Sequence, residues 1–251
     1  MKKVICVVLS VLLAVSCLTG LSGCGSSKKT TLYVYNWGQY ISEGDDGSLD
    51  VIAAFEEAYP NIRVQYSTYD SNEIMYSKLA NGGITVDVII PSDYMIGRMV
   101  QEGMLEELNF DNIPNYQYID DSFKNTSYDP ENKYSVPYTW GTVGIIYNTA
   151  MVDEPITSWS AMFDEKYAGQ VLMINNSRDA LMAALCYLGY DINTTDESQL
   201  EEAFQLIYDA KNKGVYQAFV MDEIFGKMEG GNAAIAMYYA GDYLTMLENN
   251  E

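Results

Sequence analysis

The sequence predicts an α/β fold with a largely parallel sheet, and three features predict it. From Leu32 to Leu108 strand-like and helix-like patterns alternate, the order that places helices on both faces of a sheet. One strand candidate, "VDVIIPS" at 86–92, is a nearly continuous apolar run, as expected of a strand covered on both faces. The chain has 251 residues, 48% of them apolar, enough for two modest domains or one large one.

The elements follow in order. "TLYVYNW" at 31–37 is rich in β-branched and aromatic residues and reads as a strand. "SLDVIAAFEEAYP" at 48–60 reads as a helix, with Ser48 as N-cap, an apolar face of Val51, Ile52, Phe55 and Ala58, and a stop at Pro60. "NIRVQYSTY" at 61–69 alternates apolar and polar like a half-buried strand. "SNEIMYSKLANGG" at 71–83 is a capped helix ended by Gly82 and Gly83. After the apolar strand, "YMIGRMVQEGMLEEL" at 94–108 is helical with an interruption at Gly103. Residues 111–135, polar and rich in Tyr and Asn, connect it to a second alternating unit. That unit comprises strand character at 143–147, "QVLMI" at 170–174, helices at 177–190 and 196–214, and the closing "GGNAAIAMYYAGDYLTMLENNE" at 230–251. Ligands on parallel sheets bind beyond the carboxyl ends of the strands. The loops there include "NWGQY" at 36–40 and "PSDY" at 91–94.

The N-terminus carries a different signal. Lys2 and Lys3 precede a mostly apolar run from Val4 to Leu18, and "LSGC" ends at Cys24. This reads as an export signal over 1–23, too short for a comfortable membrane span. "LSGC" resembles a lipobox, which implies cleavage before Cys24 and lipidation of its sulfur, with residues 24–30 as a tether. The alternative is an ordinary signal peptide with an incidental cysteine. After processing only Cys186 is left free, so no intrachain disulfide forms. Its place in "ALMAALCYLGY" reads as a small core residue.

Removing Lys2 and Lys3 from the 14 basic residues leaves 12 against 35 acids, a charge of −23. That argues against nucleic acid as a partner and leaves open cationic ligands or simple solubility. The chain has no histidine, which removes Ser-His-Asp and Cys-His mechanisms and imidazole-held metals. A carboxylate pair, as in glycosidases, is the enzyme option that survives. "GKMEGG" at 226–231 lacks the spacing of a phosphate-binding loop. No cofactor or metal is expected.

Five segments in order then carry a resemblance: "LYVYNWGQYI", "YSTYDSNEIMYSKL", "DVIIPSDYMIGRMVQEGML", "YSVPYTWGTVGIIYN" and "SWSAMFDEKYAGQVLM". Together they resemble the spermidine/putrescine-binding proteins of bacterial ABC importers, in register from Leu32 to the last residue. The resemblance implies a two-lobed periplasmic-binding-protein fold of type II that closes on ligand between its lobes. It implies lobes at 31–139 and 140–251, a hinge near Tyr138 to Gly144, and a missing C-terminal segment that would recross to the first lobe. The implied protein is a monomeric, lipid-anchored receptor on the extracellular face or in the periplasm. It would deliver a polyamine to permease subunits of an ABC transporter.

A polyamine is an alkyl chain bearing separated ammonium groups, so its site needs carboxylates and aromatic faces. By the resemblance, Trp37 and Tyr40 form a first aromatic wall, and Gly38 stands where relatives often have a hydroxyl residue. Ser92 and Tyr94 form a second wall and donor. Without the resemblance, Trp37 and Tyr94 read better as core residues than as ligand contacts. Asn176 and Asp179 match a segment where relatives carry acids, Asn176 replacing the first, although Asn176 also suits a helix cap. Tyr239 stands where relatives often have Trp, and Asp242 matches an amine-binding acid of some of them. Tyr238 and Tyr239 also raise a ferric-ion-binding alternative within the same architecture. A lipid-anchored glycosidase and a sensor lobe coupled to signalling are further alternatives.

Overall fold

The computed structural model describes residues 28–249. The export signal and the lipidation of Cys24 lie outside them. The described residues contain seven strands and seven α-helices, alternating except where β5 follows β4 and where two helices follow β5 in succession. β1 (Thr30–Trp37), β2 (Ile62–Tyr69) and β3 (Val88–Ile89) pair in the order β2-β1-β3. β4 (Val143–Tyr147), β5 (Val171–Ile174), β6 (Tyr216–Val220) and β7 (Ile235–Tyr239) pair in the order β4-β7-β5-β6. The helices are α1 (Val51–Ala58), α2 (Asn72–Ala80), α3 (Asp93–Gln101), α4 (Ser177–Leu188), α5 (Glu197–Asn212), α6 (Glu223–Glu229) and α7 (Ala240–Glu248).

The chain divides into two compact units. Among the described residues the smaller takes in 28–34, Ile41–Tyr66 and Val86–Val88. Its helix α1 is capped by Asp50, whose carboxylate accepts from Ala53 N at 2.8 Å. The expected cap is Ser48, but Asp50 is the residue adjoining the first helical turn, and it competes better for the free N–H groups there. No residue of α1 is buried.

The larger unit holds, among the described residues, Tyr35–Tyr40, Ser67–Thr85 and 89–249. Its core lies in the second sheet. Val171, Leu172, Met173 and Ile174 of β5 are all fully buried, as are Ile235, Ala236 and Met237 of β7. A strand with no exposed face must be apolar throughout, which is why "VLMI" does not alternate. β5 runs parallel to both β6 and β7, while β4 closes the edge antiparallel to β7, with Val143 opposite Tyr239. On one side α4 and α5 pack through Ala184, Leu185 and Ala203, the two alanines letting the helices approach and the leucine filling the space between them. Gly189 ends α4 in the left-handed region at φ 78°, its N–H returning to the Cys186 and Leu185 carbonyls.

Three expectations change here. The "VDVIIPS" strand shortens to two paired residues, and Val88 is 43% exposed, so this strand is not covered on both faces. The helix expected over 94–108 stops at Gln101, because Gly103 turns left-handed at φ 66° and ends it. Cys186 is only half-buried, its thiol 3.7 Å from the Met182 sulfur, and sits beside the core rather than in it.

Candidate functional site

All nine sequence-predicted binding residues fall in the larger unit. The first group is a line of rings. Tyr35 stacks edge-on against Tyr69 at 4.9 Å, Tyr69 meets Trp37 at 4.8 Å, Trp37 faces Tyr40 at 6.5 Å, and Tyr40 faces Tyr138 at 5.6 Å. Exposure rises along the line: Tyr35 and Tyr69 are 3% exposed, Tyr40 38% and Tyr138 57%. Trp37 sits half-buried between them and packs against the main core. The line therefore begins as core and ends as a solvent-facing wall. Two features hold that end. Tyr138 donates its hydroxyl hydrogen to the Tyr40 carbonyl at 2.7 Å. Gln39, between Gly38 and Tyr40, has φ 54°, a left-handed conformation that costs a non-glycine residue about 1–2 kcal/mol.

The second group surrounds Tyr94 in the first turn of α3. Asn72, fully buried, donates through Nδ2 to the Tyr94 hydroxyl at 2.9 Å, and that hydroxyl donates to Glu73 Oε1 at 2.8 Å. The same Asn72 accepts from the Ser92 backbone N–H through Oδ1 at 3.2 Å. Ser92 stands at the N-cap of α3 without a capping side-chain bond. The Arg178 guanidinium lies 4.1 Å over the Tyr94 ring, a cation–π contact of about 0.5–1 kcal/mol when exposed.

The third group comes from the carboxyl ends of three parallel strands, in the spatial order β7-β5-β6. β5 leads into α4, where buried Asn176 caps the helix by accepting from Arg178 N at 3.1 Å, and Asp179 follows in the first turn. β7 ends on Tyr239 and leads into α7, whose first turn holds Asp242. β6 leads to Asp222 immediately before α6. Tyr239 donates to Asp179 Oδ2 and Tyr238 to Asp222 Oδ1, each at 3.1 Å. The two tyrosine rings lie 5.0 Å apart.

Electrostatics tie these groups together. Burial pushes the Asp179 carboxyl above its ordinary range, opposed by the Tyr239 hydrogen bond and reinforced by the charge of Asp93. Burial also pushes up Asp242, with the charge of Asp222 adding to it. The Tyr40 hydroxyl is raised by burial, by Tyr138 and by Asp242. Among the described residues no Lys or Arg forms an ion pair with Asp179, Asp222 or Asp242. Asp179 and Asp242 are half-buried. Carboxylates so placed and lacking a cationic partner are costly when ionised, so the site is poised for a cation from outside.

The ferric-ion alternative rests on phenolates at Tyr238 and Tyr239, and the structure does not favour it. Burial raises both hydroxyls above their ordinary range, with Asp222 adding for Tyr238 and Asp179 for Tyr239, and each hydroxyl donates to that carboxylate. Among the described residues no group of three or more Cys, Asp or Glu side chains is arranged to hold a metal ion.

This arrangement, acids and rings at the ends of parallel strands, can be set beside known proteins. The family of bacterial extracellular solute-binding proteins matches across residues 50–251. The chain belongs to this family. Bacterial extracellular solute-binding proteins serve transport and are not enzymes, which leaves the glycosidase alternative without support. A spermidine/putrescine-binding periplasmic protein of Salmonella typhimurium is 36% identical over 188 residues, covering 74% of this chain and 52% of that protein. Among solved structures, a putative spermidine/putrescine ABC transporter protein from Listeria monocytogenes superposes with a TM-score of 0.79 at 38% identity. It covers 88% of this chain and 66% of that one. The TpPotD lipoprotein of Treponema pallidum gives 0.75 at 32%, covering 87% and 68%. The α/β solute-binding fold expected from the sequence is the fold observed. The chain spans about half the length of the spermidine/putrescine-binding relatives it matches.

Residue patterns alone miss four members of this cluster: Asp222, Tyr138, Arg178 and Asn72. Asn72 and Arg178 read as ordinary first-turn helix residues in the sequence, and only their contacts with Tyr94 give them another part. A cap-position acid at the carboxyl end of a parallel strand was the one available signal for Asp222.

Proposed function

We propose that this chain captures a polyamine of the putrescine or spermidine type for delivery to the permease of an ABC transporter. One observation carries the reading. Three parallel strands each deliver a carboxylate that lacks a protein cation, beside a line of aromatic rings that ends in solvent. A single metal ion needs its ligands converged on one point. Several carboxylates beside an aromatic wall fit a ligand that carries ammonium groups on an alkyl chain. The names of the Salmonella and Listeria relatives support the same ligand class.

In this reading Asp179 and Asp242 pair with ammonium groups, Trp37, Tyr40 and Tyr239 cover the methylenes, and Asn176 contributes a neutral oxygen in place of a charge. Ser92 and Tyr94 bound the other side, with Gly38 between the walls. The lobes, 31–139 and 140–251, close about Tyr138 to Gly144. Anchoring through Cys24 places the receptor on the extracellular face or in the periplasm, working as a monomer. The Treponema relative is itself named a lipoprotein, which supports that anchoring.

Calorimetry of the full chain with putrescine, spermidine and spermine tests this directly. Saturable heat with at least one is expected, and none with all three on folded protein overturns the reading. Tyr40→Ala tests the aromatic wall. Tyr40 is exposed and lies at the solvent end of the line, so its loss should weaken binding about tenfold, from a lost cation–π face, while the melting temperature moves little. Trp37→Ala is a poorer probe, because Trp37 also packs on Tyr69 and the main core and its removal lowers stability as well. Unchanged affinity in Tyr40→Ala would remove Tyr40 from the site.

A further inference from the structure

Asp222 holds a position that helix capping does not explain. It precedes α6, yet its side chain makes no capping bond. One carboxylate oxygen, Oδ1, accepts from the buried Tyr238 hydroxyl at 3.1 Å. The other, Oδ2, lies 2.5 Å from where a Cβ on residue 38 would stand. No real Cβ tolerates that approach, so any side chain at 38 must push the carboxylate away. Gly38 itself lies between Trp37 and Tyr40, two members of the aromatic line. The missing side chain therefore admits a carboxylate to the solvent end of that wall. Tyr238 engages only the other oxygen, Oδ1.

We propose that Asp222 is an additional ammonium-contacting carboxylate of this site, with Oδ2 facing the ligand because residue 38 carries no side chain. The proposal rests on the polyamine reading and adds to it a residue and a reason for Gly38. With Oδ1 engaged by the tyrosine hydroxyl, the lone pairs of Oδ2 are left for an incoming N–H group, and charge-assisted bonds of this kind are the strong ones. Asp222 acts with Asp242, whose carboxyl its charge already perturbs. An ammonium near both would relieve that repulsion. The competing role for Asp222 is purely structural, as the anchor of the Tyr238 hydroxyl.

A set of four variants separates these roles, measured by calorimetry with putrescine and spermidine on the full chain and by thermal melting. Asp222→Asn should weaken putrescine binding about 10- to 100-fold, the range for losing one charged hydrogen-bond partner. Gly38→Ala should weaken it comparably by displacing Oδ2. The double variant should bind within about twofold of Asp222→Asn, because both changes remove one contact. Tyr238→Phe, which removes the anchor and keeps the carboxylate, should stay within about threefold of the unchanged chain. Binding by Asp222→Asn within twofold of the unchanged chain overturns the proposal while leaving the polyamine reading intact. Equal losses in Tyr238→Phe and Asp222→Asn overturn it in favour of the structural role, and additive losses at 38 and 222 overturn the link to Gly38. If the unchanged chain binds no polyamine, the functional reading falls and this proposal with it.

Discussion

Asp179→Asn is expected to remove most polyamine binding while leaving the ligand-free protein at least as stable near neutral pH. The two effects have one cause. Burial raises the Asp179 carboxyl above its ordinary range, more than the Tyr239 hydrogen bond lowers it. A carboxyl whose folded value is raised is held more tightly as the protonated form by the folded state. Its favourable contribution is complete below the unfolded value of about 3.9 and fades as pH rises through the raised range. At neutral pH the ionised group is therefore a cost to the folded chain, and an arriving ammonium offsets it. Asparagine has nearly the same shape and leaves an oxygen to accept from the Tyr239 hydroxyl, so the hydrogen bond survives while the charge goes. Affinity should fall on the order of 100-fold, as when one partner of a half-buried charge pair is removed. Thermal melts of ligand-free protein from pH 4 to 8 should show the unchanged chain losing stability with rising pH more steeply than Asp179→Asn. Binding within threefold of the unchanged chain, or a lower melting temperature for the variant at pH 7, would contradict this account.

How much of this was legible beforehand depends on the range of the interaction. Helices with a cap and a stop within one turn of their ends, such as α2 with Ser71 accepting from Ile74 N, were readable because those determinants are local. The apolar run of β5 was readable because a strand buried on both faces has no alternation to mistake. The Ser48 expectation failed by two residues, since both Ser48 and Asp50 have capping chemistry and only the position of the first turn chooses between them. "VDVIIPS" misled for a different reason. An apolar run reports a preference for burial, whereas the number of paired residues depends on what lies alongside. Trp37 was ambiguous between core and ligand wall, and the structure shows why: its ring spans the boundary between buried Tyr69 and exposed Tyr40. Asp222 lay beyond reach, because its meaning comes from Gly38, 184 positions earlier in the chain. No periodicity links two such residues.

The largest stability effect is expected from Leu172→Ala. Leu172 lies on β5, between β7 and β6, and is fully buried. Its cross-strand partners are Ala218 on β6 and Ala236 on β7, so the two side chains directly beside it in the sheet are methyl groups. Truncating a buried leucine costs about 2–5 kcal/mol, the upper part applying where surrounding side chains cannot collapse into the space. Two flanking alanines have nothing to collapse with, which places the expected loss at about 4 kcal/mol. Urea unfolding should show the midpoint shifted with little change in slope, because the surface exposed on unfolding is almost unchanged. The effect on binding should be of another kind. Asp179, Asp222 and Asp242 follow the carboxyl ends of β5, β6 and β7, and the register of those strands is set by backbone hydrogen bonds that the substitution leaves in place. Under conditions where the variant is folded, its polyamine affinity should therefore match that of the unchanged chain within about threefold. A stability loss below about 1 kcal/mol would mean that this face of the sheet repacks around the alanine. A large loss of affinity in fully folded protein would mean that side-chain packing at 172, rather than strand register, positions the carboxylates.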